Sequence, residues 1–335
     1  MKILYITSEV QDYLSDSLLI GLKNVEGLEV QEYPGNKFVY QRNDLSIDFI
    51  HSNYYGRGFT LYNLLDERLQ NICESLINIE SFDLIVISDI YRQYATYDLL
   101  KEKVTSDSRI VIVDGDDSPS LFPYNGRVLN WKSLFKFGGL HRKHFYFKRE
   151  LGLETVYSRY LRLLPKKLLA LDMLGPRIYP ISFGIPDEKI VSYMCTKLKD
   201  FATHIVDKEI EEKVYNCNTS YKFSTEEEYY RDIQSSKYGI TTKKGGWDCL
   251  RHYELAANSS VLCFKDLDLK DDLCAPHGLI PGFNCISYLD YNDLMEQLER
   301  IDEEVYADML LRSMDWVKTK SCTNLALYFL ASIRE

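Results

Sequence analysis

The sequence has no apolar run that approaches the roughly 20 residues needed to cross a bilayer. It also lacks the GxGxxG motif of dinucleotide-binding folds and the GxxxxGK(S/T) motif of P-loop proteins. Residues 1–7 read as a short strand and lack the apolar core of a secretory signal. We therefore expect a cytoplasmic protein without a membrane span.

The eight cysteines include no CxxC pair. Most of them lie within apolar runs, which is typical of reduced thiols buried in a protein core. The pattern therefore argues against an extracellular disulfide framework and against a structural zinc site.

The chain is acidic, with 50 Asp and Glu residues against 40 Lys and Arg residues and a net charge of −10. This balance argues against broad binding to nucleic acid and against binding to an anionic membrane surface. A phosphate site would have to be a local basic pocket. The length of 335 residues and the hydrophobic content of 45% predict about two domains with cores of their own.

Residues 236–264 carry the strongest functional pattern in the sequence. Their order is a short apolar strand at 238–241, a basic glycine loop, a helix at 249–257 and a second strand at 261–264. The loop supplies two cations and two permissive backbone positions: Lys243, Lys244, Gly245 and Gly246. A glycine turn that leads into a helix directs free N–H groups and the positive end of the helix dipole at one place, so it predicts an anion site.

The first turns of this predicted helix add side chains suited to a nucleotide. Arg251 and His252 can donate hydrogen bonds, and Glu254 lies three residues after Arg251 and can share its face. A guanidinium suits a phosphate and a carboxylate suits a pair of ribose hydroxyls, so the arrangement fits a nucleoside diphosphate. The alternative is an ordinary strand–helix–strand unit with solvated cations.

Three strings in this stretch resemble the donor-binding segment of GT-B glycosyltransferases. They are Ser-Lys-Tyr-Gly-Ile from Ser236, Gly-Gly-Trp-Asp from Gly245 and Arg-His-Tyr-Glu-Leu-Ala-Ala from Arg251. The stretch is most similar to the CgeB-like and exostosin-like branch, and the resemblance implies Arg251 near the donor diphosphate and Glu254 near the ribose. Many retaining members carry a glutamate where this chain has Gly246, so inversion and retention both stay open.

Strands and helices alternate along the chain, which predicts doubly wound, mostly parallel α/β sheets. In the first half we predict strands at 2–7, 28–33, 83–88 and 109–113 and helices at 14–22, 65–79 and 97–104. In the second half, outside the stretch described above, we predict strands at 201–206 and 285–289, helices at 208–216, 225–235 and 291–300, and one long amphipathic segment at 303–334.

The resemblance implies a GT-B fold, in which two Rossmann-like domains face each other across a cleft. Residues 178–186, with two prolines and a glycine, are similar to the interdomain linker of the same branch. We therefore expect an acceptor-side domain at 1–184 and a donor domain at 185–335. The last helix could cross back to the first domain, as it does in other GT-B proteins.

An acidic turn follows the predicted strand at 109–113, in the string Asp-Gly-Asp-Asp-Ser-Pro that begins at Asp114. The string also resembles CgeB-like chains. Three interpretations stay open: a general base that faces the acceptor, a divalent metal site, or a turn whose carboxylates cap backbone N–H groups. Asp116 and Asp117 are the candidate bases, and Glu9, after the first strand, is a further one.

A basic segment at 138–150 contains His141 and His144, which are three residues apart. Nothing nearby supplies a convincing further metal ligand. We expect a solvated basic rim, with a patch that faces a phosphate or the acceptor as the alternative.

We predict a metal-independent glycosyltransferase of the kind used in polysaccharide biosynthesis. It would move a sugar from a nucleotide-sugar donor to a hydroxyl of a carbohydrate or lipid-linked acceptor. We expect no cofactor and no nucleic acid partner, and the protein could be peripheral to the membrane through its acceptor. Two alternatives stay open, because fold does not determine the reaction: a nucleotide-sugar epimerase or hydrolase, and a non-catalytic sugar-nucleotide sensor.

Overall fold

The computed structural model describes residues 1–106, 109–124, 130–152 and 177–334. The chain divides into two compact units, each with an apolar core of its own. The first unit contains Met1–Phe183, Asp271–Ala275 and Cys322–Glu335, and the second contains Gly184–Lys270 and Pro276–Ser321.

The first unit is built on a six-stranded sheet in which every neighbouring pair is parallel. Its order is β2-β1-β3-β4-β5-β6. The strands are β1 (Lys2–Ile6), β2 (Glu29–Tyr33), β3 (Leu84–Ile87), β4 (Ile110–Asp114), β5 (Phe145–Lys148) and β6 (Ile178–Pro180). β3 and β4 are buried along their whole length, because parallel sheets are covered on both faces. Strands β5 and β6 were missed in the sequence.

Helices lie in the connections that the structure describes, and polar side chains cap the start of most of them. The helices of this part of the chain are α1 (Tyr13–Asn24), α2 (Ile47–Asn53), α3 (Ile90–Lys101), α4 (Trp131–Phe137) and α5 (Leu140–Lys143). The Asp12 carboxylate accepts from Ser15 N at the start of α1. Asp89 caps α3 in the same way, so that helix starts seven residues before the predicted position at residue 97.

The predicted helix at 65–79 is wrong. The segment holds a 3₁₀ turn at Glu67–Leu69, and a second one, Ile79–Ser81, begins at its last residue. Between them it runs beside β2, where Glu32 N donates to Asn71 O and Cys73 N donates to Glu32 O. Ile72 and Ile77 are 52% and 77% exposed. A helix here would need a buried apolar stripe, whereas pairing with the sheet edge satisfies the backbone directly.

The second unit carries a smaller parallel sheet of four strands in the order β10-β9-β8-β7. The strands are β7 (Lys199–Phe201), β8 (Ser236–Thr242), β9 (Val261–Lys265) and β10 (Cys285–Tyr288). The helices are α6 (Lys208–Lys213), α7 (Glu226–Gln234), α8 (Leu250–Ala257), α9 (Tyr291–Glu299) and α10 (Glu303–Lys318). The strand–loop–helix–strand order predicted for residues 236–264 is confirmed.

The predicted strand at 201–206 is wrong except at its first residue, because β7 ends at Phe201. The predicted segment at 303–334 is two helices, since α10 ends at Lys318 and the last helix, α11 (Cys322–Ser332), follows a short break. In that break Lys320 N donates to Val317 O and the Thr319 hydroxyl donates to Trp316 O at 2.7 Å, which closes α10 in a turn. No helix in the described ranges is long and apolar enough to span a membrane.

Helix α11 belongs to the first unit, where it packs directly on α1. Gly21 of α1 makes this close approach possible. A Cβ placed on Gly21 would lie 1.9 Å from the Cys322 carbonyl oxygen and 2.6 Å from its carbonyl carbon. Both atoms are backbone, so a side-chain rotation cannot relieve the overlap.

We expect Gly21→Ala to lower the free energy of unfolding by about 1–3 kcal/mol, as is typical of overpacking, despite the better helix propensity of alanine. Chemical denaturation measures the effect. Asn24→Ala, at an exposed position on the same helix, is the matched control and should leave stability nearly unchanged. A Gly21→Ala protein as stable as the parent would contradict the packing of α11 on α1.

Candidate active site

The glycine loop at the carboxyl end of β8 leads directly into α8. Lys243, Lys244 and Gly245 are exposed and Gly246 is buried. Lys244 N donates to Gly246 O at 3.1 Å, which closes the loop in a tight turn. Cys249 occupies the position before the helix and makes no side-chain cap, so the first N–H groups of α8 receive no side-chain cap from it.

Arg251 stands in the first turn of α8. Its Nη2 donates to His204 Nε2 at 2.7 Å. Its Nε and Nη1 atoms are buried and have no hydrogen-bond partner among the residues that the structure describes. A buried guanidinium with unused N–H groups is costly unless a ligand completes its hydrogen bonds, and an anion does so best.

His204 is a site residue that sequence reasoning missed. Its Nδ1 donates to Asn218 O at 3.2 Å, and this tautomer leaves Nε2 free to accept from Arg251. Burial, followed by the positive charge of Arg251, lowers the pKa of His204 to about 4. The imidazole is therefore neutral near pH 7. The incorrect extension of β7 placed His204 inside a strand, whereas it lies in the loop after the strand.

The two lysines of the loop have different surroundings. Although the residue is exposed as a whole, partial desolvation of its ammonium lowers the pKa of Lys244, and so does the nearby charge of Arg251. These two cations therefore lie close enough to repel each other. The Lys243 ammonium instead lies 4.7 Å from the centre of the Trp247 ring. Of the two lysines, Lys244 is thus the one whose charge reinforces that of Arg251.

Glu254 lies one turn after Arg251 and is held by an aromatic group. Its carboxylate accepts from the Tyr229 hydroxyl at 2.8 Å. Burial, followed by the Glu254 charge, raises the pKa of Tyr229 far above its ordinary value, so the phenol stays a donor. The Tyr221 ring packs against both Tyr229 and His204, with centres 5.3 and 4.9 Å apart. The site therefore has an aromatic wall beside its charged groups.

His252, the other predicted donor on α8, is fully buried, and its ring centre lies 4.5 Å from that of Phe264 on β9. Adjacent helical residues do not share a face. The structure therefore places His252 between α8 and the sheet and does not bring it together with Arg251.

A cavity of about 460 Å³ lies at the carboxyl ends of β8 and β9. Its lining comprises Val206, Asp207, Lys208, Thr242, Lys243, Trp247, Lys265, Asp266 and Leu269. Lys265 Nζ lies 3.0 Å from Asp207 Oδ2 and 3.2 Å from Glu209 Oε2. Open α/β sheets bind ligands at this edge.

The acidic turn of the first unit is built around a buried ion pair between neighbouring strands. Lys148 Nζ on β5 lies 2.7 Å from Asp114 Oδ1 on β4, and both side chains are fully buried. Lys148 Nζ also donates to Asp116 O at 3.0 Å, and the Tyr146 hydroxyl donates to the Asp114 carboxylate. Burial raises the pKa of Asp114, and the Lys148 charge opposes this rise.

Asp116 and Asp117 follow in this turn and have structural contacts. Asp116 Oδ1 accepts from Ser118 N at 2.8 Å, which is an Asx turn. Asp117 is paired with Arg149 Nη2. These contacts match the interpretation in which carboxylates cap the turn. No group of three or more metal-ligating side chains occurs in the part of the chain that the structure describes.

Glu9, the third predicted base, is exposed in the loop after β1. Strand β3 lies between β1 and β4, so Glu9 and the acidic turn occupy the same edge of the sheet two strands apart. The turn also approaches the start of α1, because a Cβ on Gly115 would lie 3.7 Å from Asp12 Oδ1.

The same edge carries a carboxylate pair that sequence reasoning missed. Arg92 Nη1 lies 2.6 Å from Asp89 Oδ2 and 3.3 Å from Asp12 Oδ2. The pKa of Asp89 is raised to about 6, mainly because the carboxylate is buried and secondly because Asp12 is negatively charged. The sequence shows Asp89 directly after the apolar strand β3, which places it at this edge of the sheet. The sequence does not show whether Asp89 caps α3 and is buried or is exposed to solvent.

The prediction of a solvated rim at 138–150 is wrong for both histidines. His141 is buried, and the fully buried His144 bonds through Nε2 to the Tyr97 hydroxyl at 2.9 Å. The pKa of His141 is lowered to about 4, mainly because the imidazole is buried and secondly because Arg142 is positively charged. Arg142 and Lys143 remain exposed.

Comparison with solved structures identifies the fold. Sucrose-phosphate synthase from Thermosynechococcus elongatus is 10% identical and matches with a TM-score of 0.53 over 99% of this chain and 98% of its own. Anabaena HepE in complex with UDP-glucose is 8% identical, with a TM-score of 0.51 over 100% and 99% of the two chains. The fold is of the GT-B type.

At these identities the likeness concerns the fold alone. HepE in complex with UDP and glucose also matches, at 8% identity and a TM-score of 0.50 over 100% of this chain and 99% of its own. No protein-family model matches the sequence, and no curated protein sequence matches it.

We expect Lys148→Met to lower the free energy of unfolding by about 3–5 kcal/mol, because it leaves the buried Asp114 carboxylate without its cation. Chemical denaturation again measures it. Lys143→Met, an exposed lysine of the same segment, is the matched control. Adding Asp114→Asn to Lys148→Met should recover part of the loss. A Lys148→Met protein within about 1 kcal/mol of the parent would show that the pair does not hold the turn.

Proposed function

We propose that the protein is a glycosyltransferase that moves a sugar from a nucleoside-diphosphate sugar to a hydroxyl acceptor. The observation that carries this proposal is Arg251, whose buried Nε and Nη1 atoms find no partner among the described residues at the start of a helix that follows a glycine loop. Lys244 adds a second cation and α8 adds the positive end of its dipole. This surplus of positive charge supports a diphosphate ligand.

The chemistry of transfer requires such a site. As the glycosidic bond breaks, negative charge grows on the departing nucleoside diphosphate, and preorganised donors near its oxygens stabilise the transition state. In the proposed complex Arg251 and Lys244, with the amides of Gly245 and Gly246, contact the diphosphate. Glu254, oriented by Tyr229, binds the ribose hydroxyls. The cavity next to Lys243 and Trp247 offers room for a further part of the donor.

We propose the nucleobase of the donor by analogy with the solved structures of similar fold. The HepE structures contain UDP-glucose, or UDP and glucose, and a uridine nucleotide is therefore the first donor to test. We also propose membership of the CgeB-like and exostosin-like branch, on the strings around Ser236, Gly245 and Arg251. A metal-independent reaction, a cytoplasmic location and a carbohydrate or lipid-linked acceptor remain parts of the same proposal.

We propose that the general base, the group that takes the proton from the acceptor hydroxyl, lies in the first unit. Asp116, Asp117 and Glu9 are the candidates from the sequence, and Asp89 joins them. Asp116 and Asp117 already serve the turn. Asp89 also has structural contacts, as the cap of α3 and the partner of Arg92. Burial nevertheless raises its pKa to about 6, which suits a group that accepts a proton near neutral pH.

We expect Arg251→Ala to weaken UDP binding by about 10- to 100-fold, because charged hydrogen bonds to a phosphate are worth about 1.5–3 kcal/mol. Isothermal titration, or the UDP-induced rise in melting temperature, measures the loss. Arg312→Ala, which removes a partly exposed arginine of the same unit, is the matched control. An Arg251→Ala protein that binds UDP as tightly as the control would contradict the diphosphate site.

We expect UDP release from UDP-sugars to depend on an added acceptor and to persist in EDTA. The assay screens UDP-sugars against simple sugars and alkyl glycosides. UDP release without any acceptor would identify a hydrolase, an epimerised donor without release would identify an epimerase, and binding without either would identify a sensor.

If Asp89 is the base, Asp89→Asn should lower turnover by about 100-fold or more while UDP affinity stays unchanged.

A further inference from the structure

Helix α4 presents two large aromatic side chains to solvent. Trp131 and Phe135 are 88% and 96% exposed, and their spacing of four residues places them on one face. The other face is anchored, because the Phe137 ring is buried against those of Phe122 and Tyr94, with centres 5.6 and 5.7 Å apart. A packed helix thus holds an apolar ridge outside the core.

The sequence around this ridge is basic in an otherwise acidic chain. Residues 118–149 contain no aspartate or glutamate, although the whole chain has a net charge of −10. The exposed cations of this segment in the described residues are Lys132, Lys136, Arg142 and Lys143. Asp98 pairs with Lys101 and also with Lys136 of α4, so its charge is more than compensated.

We propose that the surface formed by Trp131, Lys132, Phe135 and Lys136 docks the protein on an anionic phospholipid membrane. Aromatic rings settle at the level of the lipid headgroups, and lysines beside them are attracted to anionic lipids. The lysines distinguish this surface from a protein interface, whose core is depleted in Lys.

The acidic net charge does not prevent this docking. At physiological ionic strength, charges farther from the bilayer than a Debye length of about 8 Å are largely screened. The interaction therefore depends on the cations next to the inserted rings and not on the sum over the chain. The proposal therefore differs from the expectation drawn from the net charge, which argued against binding to an anionic membrane surface. The inference is independent of the proposed transferase activity.

Vesicle flotation of the full chain tests the proposal. We expect binding to phosphatidylcholine vesicles that contain about 30% phosphatidylglycerol, weaker binding to phosphatidylcholine alone, and loss of binding in about 1 M NaCl. The double variant Trp131→Ser, Phe135→Ser should bind at least about 10-fold less, and Lys132→Gln, Lys136→Gln should lose the preference for anionic lipid.

The matched control is Leu198→Ser, Tyr215→Ser, which removes two side chains that are 80% and 91% exposed in the second unit. It should bind vesicles like the parent protein. Melting temperature and UDP binding, measured on all variants, show whether each is folded, and they separate this inference from the donor site.

Three outcomes would overturn the inference. One is a parent protein that floats with neither vesicle. Another is a Trp131→Ser, Phe135→Ser protein that floats as well as its control. The third is a parent protein that binds a second copy of itself or a single-stranded oligonucleotide through these residues while it ignores vesicles.

Discussion

Parallel pairing of every strand is the constraint on which both units depend. A parallel strand can be followed by another only after a crossover, so the loops that follow the strands collect at the same edge of the sheet. In the described residues, helices begin soon after β1, β3 and β8. The residues of interest lie in these loops and first helical turns: Asp89 after β3, the acidic turn after β4, His204 after β7 and the glycine loop after β8. Helix capping then orients the side chains, as Asp12 and Asp89 show.

Each unit contains a buried cation, and the two cations differ in how many of their N–H groups have a hydrogen-bond partner. Lys148 is surrounded by acceptors, with the Asp114 carboxylate and the Asp116 carbonyl both within 3.0 Å. Arg251 bonds to one neutral histidine and retains two buried nitrogen atoms for which the described residues supply no partner. A buried ion with a full set of partners is explained by its own structure, whereas buried N–H groups without one are compatible with the ligand that we propose. This contrast supports a structural role for the turn and a binding role for Arg251.

The apolar strands were predictable because each is a continuous run of β-prone residues. The unit at residues 236–264 was predictable because a glycine loop separates such a run from a segment rich in good helix formers. The helix expected at 65–79 failed because an open sheet edge competed for its backbone, which no local pattern records. β5 was missed because its aromatic residues were read as part of the basic segment at 138–150, whereas Lys148 and Arg149 are buried by partners distant in sequence. β6 was missed because its residues were read as part of the linker at 178–186.

The sequence by itself determined the alternating α/β class and the strand–loop–helix unit, and it singled out Arg251 and Glu254, because these follow from residue types within one or two turns of chain. Only the tertiary structure decided which charged groups are paired. Asp114 meets Lys148 across 34 residues and His204 meets Arg251 across 47. Pairing of this kind depends on which strands become neighbours, and the free energy of a buried charge depends on those neighbours more than on its own residue type.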